Sequence, residues 1–266
     1  MAVYFHYHLK PKILLWCFSS ISFAYICDMF NSVIFLPIII MAGMAYSILA
    51  KKLTVPAAFT GAILACLIYF AAGYTGIAMM TIFFILGSAA TSWQRRKKQD
   101  VATIAETKNG RTAGQVMANA GAAGMAAVVI LFYPSLTYLM LPAMAASFAS
   151  ATADTLSSEL GMLYGKRFFN IMSFKPDRCG MDGVISLEGT LIGILGSCII
   201  AGMYALGYGW NMSFCFIIIA GTVGNLTDSV LGAVLERKGI IGNNLVNFAN
   251  TLTAALVVLV MEIVLI

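Results

Sequence analysis

Charge is scarce in this sequence: Asp, Glu, Lys and Arg make up 10% of its 266 residues, against 61% hydrophobic residues. Ordinary soluble domains carry about 25% charged residues, so a water-soluble globular fold is excluded. Histidine is nearly missing. Its two copies, His6 and His8, both lie in the N-terminal tail, which leaves a Ser-His-Asp triad without a base and a zinc site without obvious ligands. The six cysteines (Cys17, Cys27, Cys66, Cys179, Cys198, Cys215) include no Cys-x-x-Cys pair, and five fall in apolar runs, where they read as packing residues. A P-loop is also absent, because Gly161-Met-Leu-Tyr-Gly165-Lys166-Arg167 is one residue short and has no Ser or Thr after the lysine. No small-residue cleavage site precedes Asp28, so residues 1–27 read as a retained first helix and not as a signal peptide.

What remains is lipid-soluble chain. A bilayer core about 30 Å thick takes roughly 20 apolar residues per helical crossing. Apolar runs bounded by charge or turn residues fall near 13–27, 32–50, 54–72, 75–93, 113–132, 135–153, 188–207, 211–235 and 246–265. The expected fold is an all-α, polytopic transmembrane bundle of about nine spans. Short cytoplasmic loops are enriched in Lys and Arg. With nine spans all sixteen basic residues fall on one side, Lys10 and Lys12 included. That places the N-terminus in the cytoplasm. The net charge of +5 then reflects flanks facing anionic headgroups, not a nucleic-acid partner.

Residues 1–93 read as N-terminal helices poor in ionisable groups, a scaffold or a homo-oligomer surface. Residues 94–266 carry the chemistry, with long cytoplasmic segments at 94–112 and 154–187, and loops of that length are usually functional or disordered. The run from Trp93 to Asp100 reads as a basic collar at the headgroups. In the second segment Asp154 and Ser158 share a helix face if the sixth span continues, and a carboxylate and hydroxyl on one face suit a hard cation; helix capping is the plainer reading. The glycine-rich stretch from Lys175 and Arg178 through Gly180, Asp182, Gly183, Ser186, Glu188 and Thr190 can form an anion cradle of backbone N–H groups, or simply turn the chain. In the eighth span Gly224, Asp228, Gly232 and Glu236 recur every four residues. A carboxylate in a membrane costs roughly 3 kcal/mol or more and usually marks a functional site, which singles out Asp228. Arg111, Gln115 and Asn119 form a polar stripe on the fifth span, and Asn243, Asn244, Asn247 and Asn250 open the ninth.

Three motifs stand in order: Asp154-Thr-x-Ser-Ser-Glu159-x-Gly161, Gly180-x-Asp182-Gly183-x-x-Ser186-x-x-Gly189-Thr190, and Gly224-Asn225-x-x-Asp228-Ser229-x-x-Gly232-Ala233. Together they resemble the integral-membrane family that contains plant phytyl-phosphate kinase and its bacterial and archaeal relatives. The resemblance covers roughly residues 108–253. It implies transfer of a phosphoryl group from a nucleoside triphosphate, with CTP the expected donor, to a phytyl, farnesyl or geranylgeranyl monophosphate, giving the diphosphate. Asp154, Glu159, Asp228 and Lys166 are then the expected catalytic residues. Asp154, Glu159 and Asp228, with Glu188 as a fourth, would hold Mg²⁺. Arg111, Asn119, Ser158, Lys175, Arg178, Gly180, Gly183, Ser186, Thr190, Asn225, Ser229 and Asn247 would bind substrate and phosphate, on the cytoplasmic side. The chain departs from the family pattern in three places. Asn119-Ala120 replaces Asn-Gly, Glu236 replaces Gln, and Asn243-Asn244 replaces Asn-Asp, so Glu236 and Asn244 stay out of the expected metal set. A carrier of an anionic or lipid-phosphate substrate is the non-enzyme alternative, and a CDP-alcohol or cytidylyl transferase a second enzymatic one.

Overall fold

A computed structural model of the chain describes residues 35–94, 97–98 and 110–265. The first expected span, at 13–27, lies outside them, as do His6, His8, Lys10 and Lys12. Among the described residues, six helices are long and apolar enough to cross a membrane, and a shorter apolar one, α1 (Phe35–Leu49), stands where the second span is expected.

The first long helix, α2 (Val55–Ser92), has 38 residues. Unbroken, it would run about 57 Å, nearly twice the hydrocarbon core. It is broken at Gly73, whose φ of 58° and ψ of −154° are non-helical and open to glycine alone. The arms 55–72 and 74–92 fold back on each other. A Cβ built on Gly76 would lie 2.7 Å from Ile68 Cγ2, eight residues away, where a straight helix would separate the two by about 12 Å. At the far end Lys52 Nζ donates to Ser92 Oγ at 2.6 Å. The two runs expected at 54–72 and 75–93 are therefore the arms of one hairpin. The Ala72 carbonyl at its bend accepts the Tyr208 hydroxyl at 2.6 Å, which satisfies an acceptor that lipid could not.

Next come α3 (Ala113–Phe132), a 3₁₀ turn (Pro134–Leu136), α4 (Thr137–Tyr164), α5 (Leu187–Tyr208), α6 (Met212–Leu231) and α7 (Asn243–Leu265). Side-chain caps mark their starts. Thr112 and Gln115 form a reciprocal capping box on α3, and Ser186 accepts from Gly189 N on α5. Between α4 and α5 the loop makes a two-stranded antiparallel ladder, β1 (Phe169–Asn170) with β2 (Val184–Ile185), Phe169 opposite Ile185. α6 ends in a π turn, Gly232–Glu236.

The core is built from small residues. Every residue from Pro142 to Ala153 on α4 is buried, and on α3 an alanine and glycine stretch from Ala118 to Gly124 is buried as well. Lipid removes the hydrophobic drive between helices, so close backbone approach through small residues replaces it. Large side chains point outward: Phe59, Phe70, Leu195, Leu206 and Ile263 are all exposed.

Successive crossings alternate in direction. Thr54 N donates to Arg111 O and Arg111 N to Lys52 O, setting the starts of α2 and α3 side by side. The end of α2, the end of α4, the start of α5, the end of α6 and the start of α7 follow at that same end of the bundle. It also holds the described lysines and arginines, from Lys51 to Lys238.

Candidate active site

A cavity of about 470 Å³ opens at this end, among α3, α4, α5, α6, α7 and the β-hairpin loop between α4 and α5. It exists because α4 does not stop where its apolar run does. The helix continues to Tyr164 and carries Asp154, Ser157, Ser158 and Glu159 down one wall, where the sequence alone placed a loop from 154.

Asp154 on α4 and Asp228 on α6 lie within hydrogen-bonding reach of each other. Asn250 on α7 donates from Nδ2 to Asp228 Oδ2 at 2.6 Å, and Ser150 Oγ steadies Asn250 Oδ1 at 3.1 Å. Ser157 Oγ donates to Asn225 Oδ1 at 3.0 Å, tying α4 to α6 a turn away. The close approach depends on glycine: a Cβ on Gly193 would lie 2.8 Å from Asn225 Nδ2, and one on Gly224 would overlap Ser150. Glu236, hydrogen-bonded with Asn243, and Asp182 complete the acidic rim, near enough to each other and to Asp228 for their charges to interact.

Among the described lining residues Arg111 is the single cation facing five carboxylates, Asp154, Glu159, Asp182, Asp228 and Glu236. Its guanidinium sits 5.8 Å over the Phe83 ring, where Gly87 leaves it room. Burial lowers its pKa below the ordinary arginine value, and Glu159 and Asp154 oppose that shift. Glu159 is already matched. Its Oε2 takes an ion pair from Lys98, whose side chain is 1% exposed and also donates to the carbonyls of Ala90 at 2.8 Å and Thr91 at 3.1 Å.

The hairpin loop covers part of the cavity. Gly183 has φ +75°, and a Cβ there would overlap Ala233 in the π turn, so the loop rests directly on α6. Arg237 clasps Asp177 through both guanidinium nitrogens, at 2.6 and 3.4 Å. That bond holds the Asp177 carboxyl below its usual range and raises Arg237. Burial pushes the Cys179 thiol up, which keeps it protonated and unreactive.

Most of the residues expected from sequence meet here. Arg111, Asn119, Asp154, Ser158, Glu159, Gly180, Gly183, Ser186, Thr190, Asn225, Asp228, Ser229 and Asn247 all line the cavity. Four do not. Lys166, Lys175 and Arg178 are exposed on the outside of the loop, and Glu188 accepts from Lys166 N at 3.2 Å beyond the wall. The expected foursome of Asp154, Glu159, Asp228 and Glu188 is thus not gathered, and among the described residues no three His, Cys, Asp or Glu side chains converge as a metal centre. Glu236, left out because it departs from the family pattern, and Asp182, read only as part of a turn, stand on the rim instead. Lys98, read as headgroup collar, is buried against the wall. Nothing in the sequence sets it apart from Lys97 beside it, which stays exposed.

The profile of the integral membrane protein family DUF92 matches residues 38–255. An uncharacterised membrane protein of the cyanobacterium Synechocystis is 33% identical over 224 residues, covering 81% of this chain and 85% of its own. The chloroplast protein VTE6 of Arabidopsis thaliana is 30% identical over 208 residues, 75% of this chain and 62% of its own length. An uncharacterised membrane protein of the archaeon Methanocaldococcus jannaschii is 33% identical over 194 residues, 72% of this chain and 77% of its own. No solved structure matches the chain.

Proposed function

Because the chain belongs to the integral membrane protein family DUF92, we propose that it is a membrane kinase of isoprenoid-alcohol monophosphates, using a nucleoside triphosphate, CTP by the motif resemblance, as donor. A phosphate oxygen of the lipid monophosphate attacks the γ-phosphorus, the bond from that phosphorus to the β,γ-bridging oxygen breaks, and the nucleoside diphosphate leaves. The observation that carries this reading is the cavity itself: a polar, carboxylate-lined chamber at one end of an otherwise apolar bundle, where a headgroup can enter while its hydrocarbon tail stays among the helices.

The charge balance supports a divalent cation. Four carboxylates without a paired lysine against Arg111 alone would repel a bare polyphosphate, whereas Mg²⁺ commonly takes one or two carboxylates together with substrate phosphate oxygens. Asp154 and Asp228 are the pair that would hold it, and bound there it would neutralise charge on the transferred group. Arg111 supplies the protein's own positive charge, and the Gly180–Gly183 turn lines the same space. A phosphate nucleophile needs no strong general base, which agrees with a cavity free of histidine among its described residues. The gathering of lysines and arginines at the cavity end supports a cytoplasmic site.

The test is phosphate transfer by the purified protein in detergent, with γ-labelled CTP or ATP, Mg²⁺, and phytyl, farnesyl and geranylgeranyl monophosphates offered separately. Labelled lipid diphosphate is expected. Folded protein that labels none of them, yet carries a lipid phosphate across proteoliposomes without consuming nucleotide, would make it a carrier.

A further inference from the structure

Lys98 is the most completely buried charged side chain described, and the reaction proposed above leaves it without a role. Its ammonium has three protons and three acceptors: the carbonyls of Ala90 and Thr91 in the last turn of α2, and the Glu159 carboxylate on α4. Two of those three partners, Thr91 and Glu159, line the cavity. Helix-end carbonyls carry partial negative charge, so the site attracts a cation even before Glu159 is counted. A basic run at the end of a membrane helix would ordinarily reach to the headgroups, as Lys97 beside it does by staying exposed. Lys98 turns inward instead, at the cost of desolvating its charge.

We infer that Lys98 is a positioning residue that fixes and neutralises Glu159, so that this wall of the cavity admits the anionic phosphate chain. The inference rests on the kinase reading, since it concerns a polyphosphate ligand of the same cavity. Its physical content is a charge count. With Lys98 in place, Arg111 faces four unpaired carboxylates, two of which a divalent cation can occupy. Without it, Glu159 becomes a fifth, freed to swing toward the cavity beside Ser158. A partly buried carboxylate that loses its ion-pair partner, with Arg111 left to balance it along with the other four, repels a phosphate more strongly than it would in water. Glu159 therefore acts as the partner of Lys98, not as a ligand of the divalent cation.

A charge-rescue cycle separates this role from simple stapling of α2 to α4. Binding of Mg²⁺-pyrophosphate to the detergent-solubilised full chain is measured by titration calorimetry for wild type, Lys98→Met, Glu159→Gln and the double variant, with circular dichroism as the check on folding. Lys98→Met is expected to weaken binding by on the order of ten- to a hundredfold. Glu159→Gln is expected to bind at least as tightly as wild type, and the double variant to recover to within about threefold of Glu159→Gln, because a neutral amide needs no counter-ion. A double variant as weak as Lys98→Met would show that only the helix staple matters, and a loss of binding in Glu159→Gln alone would return Glu159 to the cation site; either result overturns the inference and leaves the kinase reading standing. Should folded wild type bind no pyrophosphate at all, the kinase reading falls and takes this inference with it.

Discussion

Replacing Asp228 by Asn should make the protein more stable while stopping the proposed phosphoryl transfer. Asp154 and Asp228 are held within hydrogen-bonding reach by α4 and α6, which approach closely where Gly224 of α6 meets Ser150 of α4 and where Gly193 of α5 packs on both helices. Two unit charges about 4 Å apart repel by about 4 kcal/mol at an effective dielectric near 20, so the pair is strained unless a cation lies between them or one of the two takes up a proton. The amide preserves the local bonding. Its carbonyl oxygen can still accept from Asn250 Nδ2, which now approaches Asp228 at 2.6 Å, and its NH₂ can donate to Asp154, turning repulsion into a hydrogen bond. Even if proton sharing, solvent and relaxation together remove half of the repulsion, about 2 kcal/mol remains, equivalent to a rise of several degrees in melting temperature. Wild type should gain stability on adding Mg²⁺, as any folded-state ligand requires. Asp228→Asn should gain little, and its phosphate transfer should fall by at least about a hundredfold, the loss of one transition-state charge contact. Differential scanning fluorimetry in detergent, with and without Mg²⁺, gives the first two quantities and the labelled-nucleotide assay the third. A variant that melts lower than wild type and keeps its Mg²⁺ response would refute the reasoning, because it would mean that the two carboxylates do not oppose each other.

Asn250→Leu, on the neighbouring helix, should cost about 1–3 kcal/mol, because it strips Asp228 of its donor and leaves Ser150 Oγ facing an apolar side chain; chemical denaturation in detergent measures it. Gly183→Ala should cost about 2–4 kcal/mol, combining a left-handed φ with overlap on Ala233, and should expose the hairpin loop to limited proteolysis while the helices stay intact. The loop should also loosen in acid. The Arg237 clasp holds the Asp177 pKa below its ordinary 3.8, so the stabilisation is fully present above that value and is lost as pH falls through the lower folded-state value. Cleavage of the loop by pepsin should therefore rise as the pH is lowered through this range, and Asp177→Asn should show the raised cleavage without needing the lower pH.

Helix positions inside the membrane were legible wherever apolar runs met clear boundaries. The run expected at 113–132 coincides with α3, and those at 188–207 and 246–265 extend by a few residues into α5 and α7. The turn between the runs at 54–72 and 75–93 fell on Gly73 because only glycine takes its backbone angles. The end of α4 was misplaced by about ten residues. Hydropathy stops a span at its first cluster of polar side chains, and Asp154, Ser157, Ser158 and Glu159 look like such an end, although they are polar because they face a cavity. Most of the cavity's lining was foreseeable for the same physical reason: an acidic or amide group on an apolar helix has few places to go except the bundle interior. The direction of exposed charges was not foreseeable. Lys166, Lys175 and Arg178 belong to a glycine-rich loop that could have turned them either way, and the ladder between Phe169–Asn170 and Val184–Ile185 leaves them outside.

Composition and local spacing were enough to establish an apolar helical membrane protein, polar chemistry concentrated between Arg111 and Asn250, and basic residues clustered at the ends of apolar runs, as the described ones are at one end of the bundle. Tertiary structure alone decided which carboxylates meet. Asp154 and Asp228 are 74 positions apart and become neighbours because small residues let α4 and α6 cross closely. Glu188, attractive in sequence, starts α5 facing outward, and Lys98 is drawn from the headgroups to Glu159. Pairing of charges across helices depends on distances that no local pattern encodes, so the site's inventory could be read from the chain while its electrostatics could not.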